Sequence, residues 1–505
     1  MNGRVLFGKN QWVFMVAGIF IAIAALAVPI SKSNFFDDAY IHARIAENFL
    51  NYGEPFFNIG EKFKADSSTG FVFVIALLSI FGNIPDSIRY FEAFLIIATT
   101  VSLFYLASLS ALHKARNSFV CVAIIPGMLW AAYGGMETPV VCLLIIWAAI
   151  AWRFEKHGLV VAMIAMATWF RFEAILLLLI VVFYYAYVRK LFKSIIFYTI
   201  PFFILLLVEW IIFGGVIPHA AIAKPVAYGF PLQQSVLNAL NALSFGFGYQ
   251  RAPVGLLFVL VMAVELILIL RKKIDINFSE VFLIFSAGIF LAWAVGKSLI
   301  FQWYFCLLFF PFGISVLLDD RKLVGPWQKF ISSSKVLILL GFAFVGLTGI
   351  IFDFGLIGNS PNLRVKRYMD IGTELYSFCP SCTLASSEIG GLGFSYKGKV
   401  RDAFGLGDPL AARFHPLRVP EERQGYGIGA IPPDYIAYRN PDFIVSMPIF
   451  SVSLRASSII SPYLSYDCPI GANIWGNHII QVFSMQPFST HRLSIMGCKP
   501  TAKLN

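Results

Sequence analysis

The run WVFMVAGIFIAIAALAVPI, residues 12–30, contains no charged side chain. It is long enough to cross a bilayer as a helix, which takes about 20 predominantly apolar residues. Arg4 and Lys9 precede it, no small-residue cleavage site is obvious after it, and it is long for a signal-peptide core. It reads as a retained first transmembrane helix. Further apolar segments recur along the 505 residues at 89–112, 118–133, 138–152, 158–170, 174–188, 194–213, 253–270, 279–296, 300–318 and 335–352. Phe71 to Phe81 is apolar too, but too short to span, and reads as a re-entrant or interfacial helix. Hydrophobic residues make up 58% of the chain and charged residues 13%, where globular proteins average roughly a half and a quarter. So few charges cannot cover a soluble surface, and 51 Phe bury too much apolar area for disorder.

The formal net charge of +11 is distributed as topology signals, not as a nucleic-acid surface. With the N-terminus in the cytoplasm and eleven spans, the cytoplasmic turns carry Lys114 and Arg116; Arg153 and Lys156; Arg189, Lys190 and Lys193; Arg271 to Lys273; and Arg321 with Lys322. The opposite turns are poorer in Lys and Arg. Counting Phe71–Phe81 as a span would invert every later loop and destroy that pattern. The expected location is a bacterial plasma (inner) membrane, with a cytoplasmic N-terminus and an extracytoplasmic C-terminal domain.

The expected organisation is an α-helical polytopic membrane domain, 1–355, with a first outer loop at 31–88, followed by a soluble α/β or α+β domain, 356–505. The latter is richer in Pro, Gly, Ser and Tyr, with short β-rich segments such as Phe443-Ile444-Val445 and turn signals such as Pro432-Pro433-Asp434. Cys379, Cys382, Cys468 and Cys498 fall there, an even number that oxidation could pair. Cys121, Cys142 and Cys306 fall in spans. Cys379 and Cys382 have the spacing of a redox pair, but no second such pair completes a zinc site. No metal-ligand set is assigned; cofactors stay open, a divalent cation among them.

Ionisable residues at membrane depth are functional candidates, because burying charge in lipid is costly. Here most collect at one face. The first outer loop holds Asp37, Asp38, Tyr40, His42, Arg44, Asn58 and Glu61 and ends at Ser67-Ser68-Thr69. Glu137 lies in the turn Gly134-Gly135-Met136-Glu137-Thr138, Arg171 and Glu173 lie in another, and Pro218-His219 leads to Lys224. Glu209 and Glu265, inside spans, have no evident partner. One of the adjacent Asp37 and Asp38 could be raised in pKa and act as a general base, while the other caps the helical stretch Ala39–Leu50. Arg171 either pairs with neighbouring carboxylates or binds an anionic head group. Trp303 and Tyr304 read as interfacial belt residues.

Asp37-Asp38-Ala39-Tyr40-Ile41, then Arg44-Ile45-Ala46-Glu47-Asn48, Gly53 and Phe57-Asn58-Ile59-Gly60-Glu61, resembles the first loop of GT-C glycosyltransferases that use polyprenyl-phosphate sugars. The closest resemblance is to mycobacterial-type terminal arabinofuranosyltransferases and their bacterial relatives. The turns at Gly135–Thr138 and Arg171–Glu173, the Pro218 to Lys224 loop, Val400-Arg401-Asp402, Asp408-Pro409 and Pro432–Tyr435 are also similar to family features. His219 stands where relatives tend to have Asn, and Gly425-Tyr426 where they tend to have Gly-His.

The resemblance implies an enzyme that transfers a sugar, arabinofuranose among the candidates, from a polyprenyl-phosphate donor to an extracytoplasmic glycan, lipid or protein. It assigns the base to Asp37, with Asp38 in reserve. Arg44, Glu137, Arg171, Glu173, His219 and Lys224 are the expected donor-binding set, and Tyr40, His42, Asn58 and Glu61 the supporting one. The competing reading is a polytopic lipid-linked-sugar transporter or flippase. Against it stand the absence of an evident internal repeat and the gathering of polar residues at one face rather than along a path.

Overall fold

The computed structural model describes residues 34–110, 114–242, 253–271, 276–297, 300–301, 304–320, 326–353, 363–417, 430–470 and 479–501. The expected first span, 12–30, lies outside them, as do Lys272, Lys273, Trp303, Arg321, Lys322 and Gly425-Tyr426.

Each expected span within the described residues falls on helix. Four helices there are long and apolar enough to cross a membrane: Ile84–Ser108, Phe192–Phe213, Phe278–Val295 and Phe330–Ile351. Shorter apolar helices occupy Thr138–Arg153, His157–Phe170, Ala174–Val188 and Phe305–Leu317. The count of eleven therefore rests on the sequence. Apolar side chains such as Phe94, Val101, Leu179, Phe203, Leu207, Leu270 and Leu291 point outward from this bundle, as expected where lipid is the solvent. Phe71–Phe81 forms a short helix, Thr69–Leu78, closed by a 3₁₀ turn at Ser79–Phe81. It packs against the helix of the first loop, and Leu77, Ile80 and Phe81 are exposed at its end.

The two acids without evident partners are paired. Glu209 meets Lys64 of the first loop at 2.7 Å, and Glu265 meets Lys335 of the Pro326–Asp353 helix at 2.5 Å. Both pairs are buried, so each acid offsets a cation that would otherwise be unpaired in an apolar setting. Neither partner is near in sequence.

The C-terminal region carries a mixed six-stranded sheet: β1 (Thr383–Ser386), β2 (Lys399–Asp402), β3 (Phe443–Ser446), β4 (Leu464–Pro469), β5 (Ile479–Ser484) and β6 (Lys499–Pro500), in the order β2-β1-β3-β5-β4-β6. β1 runs parallel to β2 and β3, and the other pairings are antiparallel. Helix lies between β1 and β2 and between β2 and β3, the crossover that parallel pairing needs. Cys379 is bonded to Cys382 just before β1, and Cys468 of β4 to Cys498 just before β6. Cys121, Cys142 and Cys306 are buried free thiols.

Candidate active site

The first loop folds as a helix over Asp37–Tyr52. Phe36 occupies its N-cap position without a side-chain cap, so neither aspartate caps it; both lie in its first turn, where the N-terminal dipole favours negative charge. Phe35 and Phe36 pack onto the Gly134-Gly135 turn, and Phe36 N–H donates to the Gly134 carbonyl at 3.1 Å. Gly135 has φ +70, and a Cβ there would come within 2.8 Å of the Phe35 ring, so both conformation and space require glycine. This contact fixes where the helix begins.

Successive helical residues point about 100° apart, and the two aspartates diverge accordingly. Each oxygen of Asp37 accepts a backbone N–H, from Gly390 at 3.0 Å and from Gly391 at 2.9 Å. A Cβ at Gly390 would overlap the Asp37 carbonyl. Burial pushes the Asp37 carboxyl above its ordinary pKa, although these N–H groups and Arg364 oppose it. Asp38 instead lines a cavity of about 300 Å³. Asp37 does not.

The cavity wall is assembled from distant segments: Asp38 and His42 of the first helix, Ala65 to Ser67, Met136, Arg171 to Glu173, Pro218, Ala220, Ala221 and Lys224, Tyr304, and Leu406 from the C-terminal region. Lys224 Nζ lies 4.0 Å from an Asp38 carboxylate oxygen and donates to the Tyr304 hydroxyl at 2.9 Å. Burial lowers the Lys224 pKa, but Tyr304 and Asp38 outweigh it and the ammonium is stabilised. Tyr304, expected at the membrane interface, thus lines the cavity.

Arg171 is 2% exposed and held by two acids: Nη1 to Glu137 at 2.5 Å, and Nη2 and Nε to Glu173 at 2.5 and 3.2 Å. Its guanidinium also sits 4.7 Å over the Tyr304 ring. His42 Nε2 is 3.6 Å from Glu137. Burial pushes Glu137 up, but Arg171 and His42 override it and hold the carboxyl at about 2. Burial likewise disfavours charged His42, yet Glu137 raises its pKa on balance.

The remaining expected residues lie elsewhere. Arg44 is buried at the seam with the C-terminal region, donating to the carbonyls of Phe57, Tyr396 and Gly398 at 2.6, 2.6 and 2.8 Å and to that of Gly393. Asn58 bonds both backbone groups of Val400 in β2, at 2.8 and 3.0 Å. Glu61 pairs with Lys399 at 2.7 Å and Arg401 at 2.9 Å. Tyr40 packs between Phe35 and Phe394, and Glu47 pairs with Lys397. His219 has its N–H on the Lys64 carbonyl at 3.0 Å and its ring against Phe63, beside the cavity rather than in its wall.

Sequence reading passed over Asp66, which lines the cavity, and Glu388, which pairs with Arg364 at 2.9 Å behind Asp37. Burial lifts Glu388 to about 7 against Arg364, with Asp37 adding to the rise. Asp66 carried a signal, as an acid just before the Ser/Thr-rich loop end. Glu388 carried none. Among the described residues no group of three His, Cys, Asp or Glu side chains is placed to hold a metal ion.

The sequence matches no family model and no curated protein. The fold does have solved counterparts. ArnT from Cupriavidus metallidurans bound to undecaprenyl phosphate superimposes with a TM-score of 0.52 at 14% identity, covering 94% of this chain and 98% of that one. The Archaeoglobus fulgidus oligosaccharyltransferase in complex with zinc and sulfate gives 0.50 at 10% identity, over 90% and 72%. A looser likeness, TM-score 0.41 at 12% identity and 40% of that chain, is to the arabinofuranosyltransferase AftD from Mycobacteria and carries no weight on the sugar. At such identities the likeness is one of fold: this chain shares the GT-C glycosyltransferase fold, the class its first-loop motif resembles.

Proposed function

We propose that this protein is an integral-membrane glycosyltransferase that moves a sugar from a polyprenyl-phosphate donor to an extracytoplasmic glycan, lipid or protein. The observation that carries the reading is the facing of Asp38 and Lys224 across the cavity wall, a carboxylate and an ammonium 4.0 Å apart. The fold likeness to a protein crystallised with undecaprenyl phosphate supports the donor class. Fold alone would not suffice, since folds host many activities.

Transfer needs three things at one point: a base for the acceptor hydroxyl, a positive group for the leaving phosphate, and shelter from water. Of the two adjacent aspartates Asp38 is the one that lines the cavity, so the base assigned by motif to Asp37, with Asp38 in reserve, is here given to Asp38. The acceptor oxygen attacks the anomeric carbon, its proton passes to Asp38, and the sugar–phosphate bond breaks to release polyprenyl phosphate. Lys224, oriented by Tyr304, meets the charge that develops on the departing phosphate. Arg171, already held by Glu137 and Glu173, backs it from behind. Arabinofuranose remains the sugar suggested by the motif, and an inner-membrane setting with an extracytoplasmic C-terminal domain suits a donor whose tail stays in lipid.

The test is purified protein with defined polyprenyl-phosphate sugars and an envelope glycan extract, reading release of polyprenyl phosphate. Release that depends on acceptor is expected; no release from any donor overturns the reading.

A further inference from the structure

Among the described residues, the cavity wall contains a carboxylate that no hydrogen-bond donor meets. Asp66 is 2% exposed and lines the cavity, yet among the described residues neither of its carboxylate oxygens has a hydrogen-bond partner. The cation two residues before it is not available, because Lys64 is held by Glu209 at 2.7 Å and points to the Val216 carbonyl at 3.3 Å. Arg171 is taken by two glutamates, and Lys224 by Tyr304 and Asp38. On the same wall, His42 Nδ1 is also buried without a partner. A buried carboxylate left this way costs the fold free energy, which persists where a ligand completes it.

The chemistry of that ligand follows from the wall. A carboxylate accepts hydrogen bonds and repels phosphate, so Asp66 does not serve the phosphate, for which Lys224 is placed. Nor does it suit the acceptor, which arrives from water. The side chains of Asp38 and Glu173 are 29% and 31% exposed and open that approach, whereas Asp66 lies deep in the wall. What reaches a carboxylate deep in the wall beside the phosphate position is the donor's own sugar ring, whose adjacent hydroxyls present two donors to the two carboxylate oxygens.

We propose that Asp66 determines donor specificity, by accepting hydrogen bonds from a pair of hydroxyl groups on the sugar of the lipid-linked donor. This rests on the glycosyltransferase reading above and extends it to the sugar subsite. A site built around hydroxyls rejects an analogue lacking one far more strongly than an apolar pocket rejects a missing methylene, because the buried acceptor is then left bare.

The experiment compares full-length wild type, Asp66→Asn and Asp66→Ala in detergent on three ligands: a polyprenyl-phosphate sugar that the wild type turns over, its analogue with one ring hydroxyl replaced by hydrogen at each position in turn, and sugar-free polyprenyl phosphate. Wild type is expected to discriminate against at least one deoxy donor by roughly 10²-fold or more in kcat/KM. That ratio should collapse toward unity in Asp66→Ala, while affinity for sugar-free polyprenyl phosphate stays within about twofold. Asn matches Asp in size, so Asp66→Asn guards against misfolding of the Ala variant. An unchanged ratio in either folded variant overturns the proposal, as does equal loss of affinity for the sugar-free lipid. So does a wild type that discriminates against no deoxy donor, which needs no variant. If wild type turns over no donor at all, the glycosyltransferase reading fails instead; sugar-dependent binding of the donors, read by competition with sugar-free lipid, then decides the role of Asp66 separately.

Discussion

The first loop serves two regions that differ in kind. One is the cavity wall, where Asp38, His42 and Asp66 meet Arg171, Lys224 and Tyr304, and where both oxygens of Asp66 and Nδ1 of His42 have no hydrogen-bond partner among the described residues. The other is the seam with the C-terminal region, where Asp37, Arg44, Asn58 and Glu61 are held by backbone groups and ion pairs. Saturated polar groups hold a structure; unsatisfied ones await a ligand. A single motif thus supplies both chemistry and docking, and residue type does not separate the two.

Exchanging the neighbours across that divide gives the largest expected effect. Asp38→Asn removes the basic oxygen from the cavity and should lower turnover by about 10²–10⁴, the range for loss of a general base, with the thermal transition unchanged. Asp37→Asn places an amide where two backbone N–H groups expect acceptors, so it should lower the melting temperature more than turnover per folded molecule. If instead Asp37→Asn folds normally and is inactive while Asp38→Asn works, the two roles are reversed.

Lys224→Ala should raise the KM for donor and weaken polyprenyl phosphate binding by about 10- to 100-fold, as loss of a hydrogen bond to a charged group predicts. Binding measured by competition checks it, and undiminished affinity would move the phosphate elsewhere on the wall. At the seam the readout changes from kinetics to stability. Arg44→Ala leaves several buried carbonyls without a donor, at about 1–3 kcal/mol each, so the melting temperature in detergent should fall clearly while the donor KM of the folded fraction holds.

The smallest effect concerns pH. Glu388, facing Arg364, Tyr368, Asp37 and Asp38, is raised to about 7, and Asp402, held by the backbone N–H groups of Phe404 and Gly407, also to about 7 by burial. An acid raised on folding binds its proton more tightly folded than unfolded, so stability falls as pH rises from the ordinary carboxyl range to about 7. Melting curves should shift down between pH 5 and pH 7.5, and Glu388→Gln should remove part of that shift. A flat profile would show that these carboxyls titrate normally.

Membrane embedding was legible because it depends on composition summed over some 20 residues, which no distant contact alters. The turns that supply the cavity were legible too, since charge at the end of an apolar run is visible in one dimension. The cavity of Lys224, Arg171 and an aspartate drew on residues already singled out in the sequence.

What the tertiary structure alone decided is which atoms face which. Asp37 and Asp38 are the same residue type one position apart, and only the helix start fixed by Phe36 on Gly134, together with the arrival of Gly390 and Gly391 from over 350 residues away, sends one to the seam and the other to the cavity. Glu209 and Glu265 found Lys64 and Lys335 the same way. Arg44 became a clamp rather than a donor contact for want of any local cue to the carbonyls it reaches. Sequence fixes the free energy of leaving water segment by segment; the partner that a buried polar group meets is set by packing between segments, and spacing along the chain does not encode it.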